Sequence, residues 1–348
     1  MLRNIRYFEL AEFLSSNLQS VNNLELAFED EYFNDEQEAN QLSNALSEYR
    51  NIRNLKLKLY SYNSTEKSAF NLGSSLNSCQ HLSNLELNLY INWQLVSNFI
   101  QGLAKCINLN KLKIVFDNIS DEGIIETAPH LTQIPSLQIL ELDLQEQNIG
   151  DSGVNHLGQC LSRCSKLKNI ILKLDLNKIK EKNAPIFSPE LENCKNLTSL
   201  LLDFTSNEVT DDILSQISQS LSYCKNLLHL NLVLENNQIS NISSICNPLS
   251  NLKNLQILVL NFGCNNVSQQ SVSELGLVLQ QCISLISLNF WLNDQTISAF
   301  SQFLPYIPNL KDLKLALDNR WVSQKQEQQL SLIVLKLKKL VFKQIIRF

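Results

Sequence analysis

One phrase, apolar-x-x-apolar-x-apolar-x-apolar, recurs eleven times along the chain and constrains its fold more than any other feature. It runs through Val21-Leu24-Leu26-Phe28, Ile52-Leu55-Leu57-Leu59, Leu82-Leu85-Leu87-Leu89, Leu109-Leu112-Ile114-Phe116, Leu137-Leu140-Leu142-Leu144 and Leu167-Ile170-Leu172-Leu174. It continues through Leu197-Leu200-Leu202-Phe204, Leu227-Leu230-Leu232-Leu234, Leu255-Leu258-Leu260-Phe262, Leu285-Leu288-Phe290-Leu292 and Leu310-Leu313-Leu315-Leu317. All 44 positions are apolar, and successive second positions lie 25 to 31 residues apart. Leu337, Leu340 and Phe342 read as a weaker twelfth copy.

Within a copy the alternation has period two, which predicts a strand with one buried face. Between copies the period becomes helical, as in Leu214, Ile217, Leu221 and Cys224, with Asp211 (and Asp151 earlier) read as N-caps. One strand and one helix cannot bury their faces alone, so the units must stack into a shared core. Residues 1–20 read as a helical half-repeat, residues 21–348 as the array, and 321–348 as an irregular or incomplete last repeat. The acidic stretch 29–38 reads as a solvated turn. The basic, apolar end, with Lys336, Lys338, Lys339, Lys343 and Arg347, is read either as that last repeat or as a surface-seeking amphipathic segment, and its leucine register favours the repeat.

Four copies continue into L-x-L-x-x-N-x-(I/V): Leu172-Leu174-Asn177-Ile179, Leu202-Phe204-Asn207-Val209, Leu232-Leu234-Asn237-Ile239 and Leu260-Phe262-Asn265-Val267. Gln147 and Gln295 hold the asparagine place in two others, and Asn92 fits it too. The chain thereby resembles the leucine-rich repeat family. Its repeat length, helical second half and the run Asn148-Ile149-Gly150-Asp151-Ser152-Gly153 resemble the ribonuclease-inhibitor-like subfamily. The resemblance implies an α/β solenoid, a curved horseshoe with parallel strands on the concave face and helices on the convex face. It also implies a structural asparagine ladder where the chain leaves each strand.

Composition excludes several function classes. With 29 basic and 34 acidic residues the net charge is −5, which argues against nucleic acid as a partner. No stretch is long and apolar enough for a membrane span, and Arg3, Arg6, Glu9 and Glu12 break any secretory segment. The nine cysteines are therefore expected as thiols in a cytoplasmic protein. Phosphate-binding, zincin, hydrolase and kinase patterns are absent, so no catalytic residue, metal or cofactor is expected. Two arrangements tempt a chemical reading. His156, Cys160 and Cys164 share a helical stripe without a fourth ligand, and His229 could face Ser199 across neighbouring strands. Six cysteines (Cys79, Cys106, Cys164, Cys194, Cys224 and Cys282) precede the strand phrase by three residues, as a packing position would.

Outward strand positions should form rows across the sheet. The first row begins Glu25, Lys56, Glu86, Lys113, Glu141, which suits lateral pairing worth little per pair. Later copies present Ile171, Leu201, Val233, Val259 and Trp291, bordered by Asp175, Asp203 and Glu235. Ile171, Leu201, Asp203, Val233, Glu235, Val259 and Trp291 are thus the candidate residues for holding a protein or peptide partner. The bland alternatives are that they only strengthen strand pairing or that another part of the chain covers them. The expected function is a non-catalytic protein-interaction scaffold. The second reading is a regulatory segment controlling a small GTPase or a kinase, because such repeats also occur in Ran GTPase-activating proteins and beside kinase domains.

Overall fold

The computed structural model describes residues 4–16, 21–28, 36–60, 65–180, 193–292, 294–317 and 340–347, with positions 328, 331, 332, 334 and 337. The chain divides into two compact units, Met1–Leu172 and Lys173–Phe348. The first holds β1 (Asn4–Tyr7), α1 (Leu10–Ser15), β2 (Asn23–Phe28), α2 (Glu36–Glu48), β3 (Asn54–Tyr60), α3 (Glu66–Ser75) and β4 (Asn84–Tyr90). It continues with α4 (Trp93–Gly102), β5 (Lys111–Phe116), α5 (Asp121–Leu131), β6 (Ile139–Asp143), α6 (Asp151–Ser162) and β7 (Asn169–Lys173), inside which the division falls. The second holds β8 (Ser199–Asp203), α7 (Asp211–Leu221), β9 (His229–Val233), α8 (Cys246–Asn251), β10 (Ile257–Asn261) and α9 (Gln269–Leu279), then β11 (Ser287–Leu292), α10 (Asp294–Ser301), β12 (Asp312–Leu317) and β13 (Phe342–Arg347).

In each unit the strands lie side by side in chain order. Every pairing from β1 to β6 and from β8 to β13 is parallel. Each unit is a leucine-rich-repeat stack, with the sheet on one side and the helices on the other. The repeated phrase supplies the core: every one of its side chains that is described is at most 5% exposed, Leu317 alone lying outside the described side chains. Each buried leucine of this kind is worth roughly 1.5–3 kcal/mol. Larger side chains fill the second unit between sheet and helices, Phe290 lying edge-on to both Phe262 and Phe300 at 6.5 and 4.7 Å.

The asparagine ladder is present in the second unit. Asn207 Nδ2 donates to the carbonyls of Leu174 (2.9 Å) and Phe204 (3.1 Å), while its Oδ1 accepts from the Ile179 amide at 3.2 Å. Asn237 and Asn265 repeat the pattern one and two strands on. The residue before each of these asparagines takes a left-handed backbone, with φ of 54° at Ser206, Asn236 and Cys264. In the first unit Gln147 does the ladder's work, its Oε1 accepting from the Ile119 amide at 3.0 Å. Asn92 does not join the ladder. It caps α4 instead, accepting from the Gln94 amide at 2.8 Å. The Gln295 side chain lies outside the described residues.

Four further expectations need correction or relocation. Gly150 and Thr210, not Asp151 and Asp211, are the N-caps of α6 and α7. Asp211 reaches forward one repeat and accepts from the Ser240 and Asn241 amides at 2.8 and 3.0 Å. Partial burial pushes that carboxyl's pKa up, but these hydrogen bonds outweigh it and hold the group below its usual range. A strand, β1, precedes the helix within residues 1–20; it holds only two apolar positions, Ile5 and Tyr7, too few to read as a period. At the other end the register is displaced by three. Lys343 pairs with Leu313, and the Leu340 amide donates to the Leu337 carbonyl at 3.2 Å. Leu340 therefore occupies the first position of the phrase, and Leu337 the place held elsewhere by cysteine. Of the acidic stretch 29–38, the last three residues open α2 and the rest lie outside the described residues, as do Lys336, Lys338 and Lys339.

A second ladder runs along the opposite edge, where the chain enters each strand. The side chain just before the first leucine donates to a carbonyl one repeat back. Asn108 donates to Gln80, Asn226 to Lys195 and Asn309 to Ile283, all at 2.6 to 2.7 Å. Its sequence signal was an Asn-Leu pair at the start of the phrase.

Candidate functional site on the open face of the sheet

Successive residues of a strand point to opposite faces, so the positions between buried leucines stand on the face that the helices leave uncovered. In the second unit these form three rows. The strand-entry row is Ser199, His229, Ile257 and Ser287; the middle row is Leu201, Asn231, Val259 and Asn289; the strand-exit row is Asp203, Val233, Asn261 and Trp291. Leu201, Asp203, Val233, Val259 and Trp291 are all half-buried there, and Glu235 is half-buried two residues beyond Val233. Ile171 is half-buried too, but it stands on β7 and belongs to the first unit.

The register places the apolar residues in a checkerboard rather than a stripe. Asn231 separates Leu201 from Val259 within the middle row, and Asn261 separates Val233 from Trp291 in the exit row. Neighbouring strands lie about 4.8 Å apart, so Leu201, Val233, Val259 and Trp291 still meet along diagonals. Ile257, 36% exposed, extends the apolar surface toward strand entry. The sequence reading missed it because it lies before the phrase's second leucine, outside the two rows considered.

Trp291 is the largest side chain of the patch. The Lys314 ammonium sits 5.5 Å from its ring centroid, a cation–π contact from β12. The acidic border is held in place by neutral neighbours. Asp203 Oδ1 accepts from Thr205 N and Oγ1 at 2.9 and 2.7 Å, and Glu235 Oε2 accepts from Asn261 Nδ2 at 2.9 Å. The other oxygen of each carboxylate has no partner among the described residues, and Asn231 Oδ1 is enclosed without a donor. The surface thus combines fixed apolar contact area with free acceptors.

No family model matches the sequence, and no curated protein matches it either. Among solved structures the chain is similar to one in the crystal structure of a TLR13–ssRNA13 complex, at 15% identity and a TM-score of 0.41. That alignment covers 93% of this chain and 57% of the other, so this chain spans little more than half of that neighbour's length.

The groups that suggested chemistry sit as follows. Ser199 and His229 are register partners, but no hydrogen bond joins them among the described residues. Cys160 and Cys164 are both buried, and Cys164 Sγ is directed to the Cys160 carbonyl at 3.7 Å. His156 is half-buried on the same helix. Among the described residues no group of three or more His, Cys, Asp or Glu side chains is placed to hold a metal. Likewise no helix among them is long and apolar enough to cross a membrane.

The recurrent cysteines occupy the turn that feeds each strand. There the carbonyls of Cys79, Cys106, Cys164, Cys194, Cys224 and Cys282 accept from the phrase's first leucine at 2.9 to 3.2 Å. Burial pushes the Cys106 and Cys224 thiols up to about 12, and those of Cys79, Cys194 and Cys282 up to about 11. Thiols so placed stay protonated at neutral pH and are poor nucleophiles.

Proposed function

We propose that this chain is a non-catalytic protein-interaction scaffold, and that the open face of its second unit grips a protein or peptide carrying apolar and basic residues. The supporting observation is the half-exposed Trp291 at one corner of the patch formed with Leu201, Val233, Val259 and Ile257. Folding needs no apolar side chain on this face, whereas indole and aliphatic anchors there match how interfaces gain affinity. The free oxygens of Asp203 and Glu235 favour a guanidinium or ammonium on the partner and oppose a phosphate backbone. Ile171 extends the same kind of surface on the first unit.

Nine cysteines, six of them at one recurring packing place, support a reducing, intracellular setting. Repeats of about 29 residues with a full helix in their second half support the ribonuclease-inhibitor-like subfamily.

The test is affinity capture from the native cell, comparing wild type with a Leu201→Asp, Trp291→Asp double variant of unchanged circular dichroism. Specific partners should fall at least tenfold with the variant, since a buried aromatic anchor is worth about 2 kcal/mol or more. Equal recovery of every partner would remove this face from consideration. The partner's identity also decides whether the scaffold serves as the regulatory segment of an enzyme such as a small GTPase or a kinase.

A further inference from the structure

The open face of the first unit carries a hollow of about 400 Å³ over the entry halves of β2 to β5. This is within the usual size of a small-ligand site, roughly 300–1,000 Å³. Two rows of side chains form it, and they differ in how fully their hydrogen-bonding capacity is used.

The middle row is satisfied. Arg6 pairs with Glu25 at 3.5 Å, Lys56 with Glu86 at 2.9 Å, and Lys113 with Glu141 at 3.2 Å. The Glu-Lys alternation therefore resolves into separate ion pairs with no charge left over.

The strand-entry row is not satisfied. Asn23, Asn54 and Asn84 stand in register on β2, β3 and β4, and their amides form a chain. Asn54 Nδ2 donates to Asn23 Oδ1 at 2.5 Å, and Asn84 Nδ2 donates to Asn54 Oδ1. This uses one N–H of each donor and leaves the second N–H of Asn54 and of Asn84 unused among the described residues. The next place in the row, on β5, is Lys111. Lys111 is half-buried as a residue, and its side chain makes no ion pair or hydrogen bond among the described residues. Glu86 and Glu141 stand diagonally from it, but their ion pairs are with Lys56 and Lys113.

What the hollow leaves unspent is thus the Lys111 ammonium and the second amide N–H of Asn54 and of Asn84. We propose that it binds a carboxylate, seated on Lys111 and Asn84. The carboxylate comes from an acidic peptide side chain or from a small free acid. This site takes the opposite charge from the second unit's patch and stands independently of it.

Isothermal titration of the full chain with sodium glutarate, and with an acetylated, amidated Gly-Glu-Gly-Glu-Gly peptide, tests this. At least one should bind, and the peptide with glutamine at both glutamate positions should bind at least tenfold more weakly. Lys111→Gln should weaken binding by about ten- to a hundredfold, the worth of a charge-assisted hydrogen bond. Lys111→Arg should restore most of it, and Lys58→Gln, on the same face outside the hollow, should leave it unchanged. Which ligand binds identifies the source of the carboxylate. Absence of binding at millimolar ligand, equal affinity for the glutamine peptide, or unaltered binding in a folded Lys111→Gln variant would each overturn the assignment.

Discussion

Replacing Asn207 by alanine is expected to lower the stability of the second unit by about 2–4 kcal/mol, a large effect for one polar side chain. The cause is what the change leaves behind. Asn207 is buried, and its amide serves the carbonyls of Leu174, Phe204 and Thr205 and the amide of Ile179. Alanine orphans these groups where little water can replace the lost partner, and each orphan costs about 1–3 kcal/mol. Asn207→Asp separates the donor role from the acceptor role. The introduced carboxylate keeps the acceptor for Ile179 but, when ionised, points lone pairs at three carbonyls. Its folded pKa is therefore raised above the unfolded value. Stability relative to wild type should be best below the unfolded pKa and should be lost as pH rises through the folded one. Urea melts at pH 4 and pH 7 read both variants. A cost below about 0.5 kcal/mol for Asn207→Ala would contradict a structural ladder.

Gly102→Ala is expected to cost about 3 kcal/mol in the first unit, near the upper end of what overpacking typically costs. A Cβ there would stand 2.5 Å from the Phe70 carbonyl oxygen and 2.7 Å from the Ser74 amide nitrogen. At Gly73, directly opposite, a Cβ would stand 2.1 Å from the Phe99 carbonyl oxygen. All three obstacles are backbone, so α3 and α4 have to separate rather than repack a side chain. Gly73→Ala should behave alike, and the double variant should cost less than the sum, because one separation accommodates both. Additive losses below 1 kcal/mol each in chemical denaturation would refute the close approach of the two helices.

The strands were legible because burial writes a period of two directly into the residues, and eleven copies left no freedom of phase. The ends were less so. Asn4 to Tyr7 is too short to display a period, and Leu337-x-x-Leu340 imitates the opening of the phrase three residues early. Asn92 carried the right residue type at nearly the right place, but only coordinates distinguish a ladder asparagine from a helix cap. The apolar character of the second unit's face was readable from outward positions, whereas its checkerboard depends on register between strands, which no single strand encodes. The hollow was invisible for a related reason. The sequence shows Glu and Lys alternating along a row, but not that every one of those charges is matched while Lys111, one row away, is left over.

We expect a partner to sit on the open face of the second unit. Photo-crosslinking tests this most directly, with a benzophenone amino acid placed at Val259 on that face and, separately, at Leu277, which is 55% exposed on α9. A specific crosslinked protein is expected from position 259, abolished by Leu201→Asp with Trp291→Asp, and none from position 277. A partner captured from position 277 and not from 259 would place binding on the helices and rule out the open face.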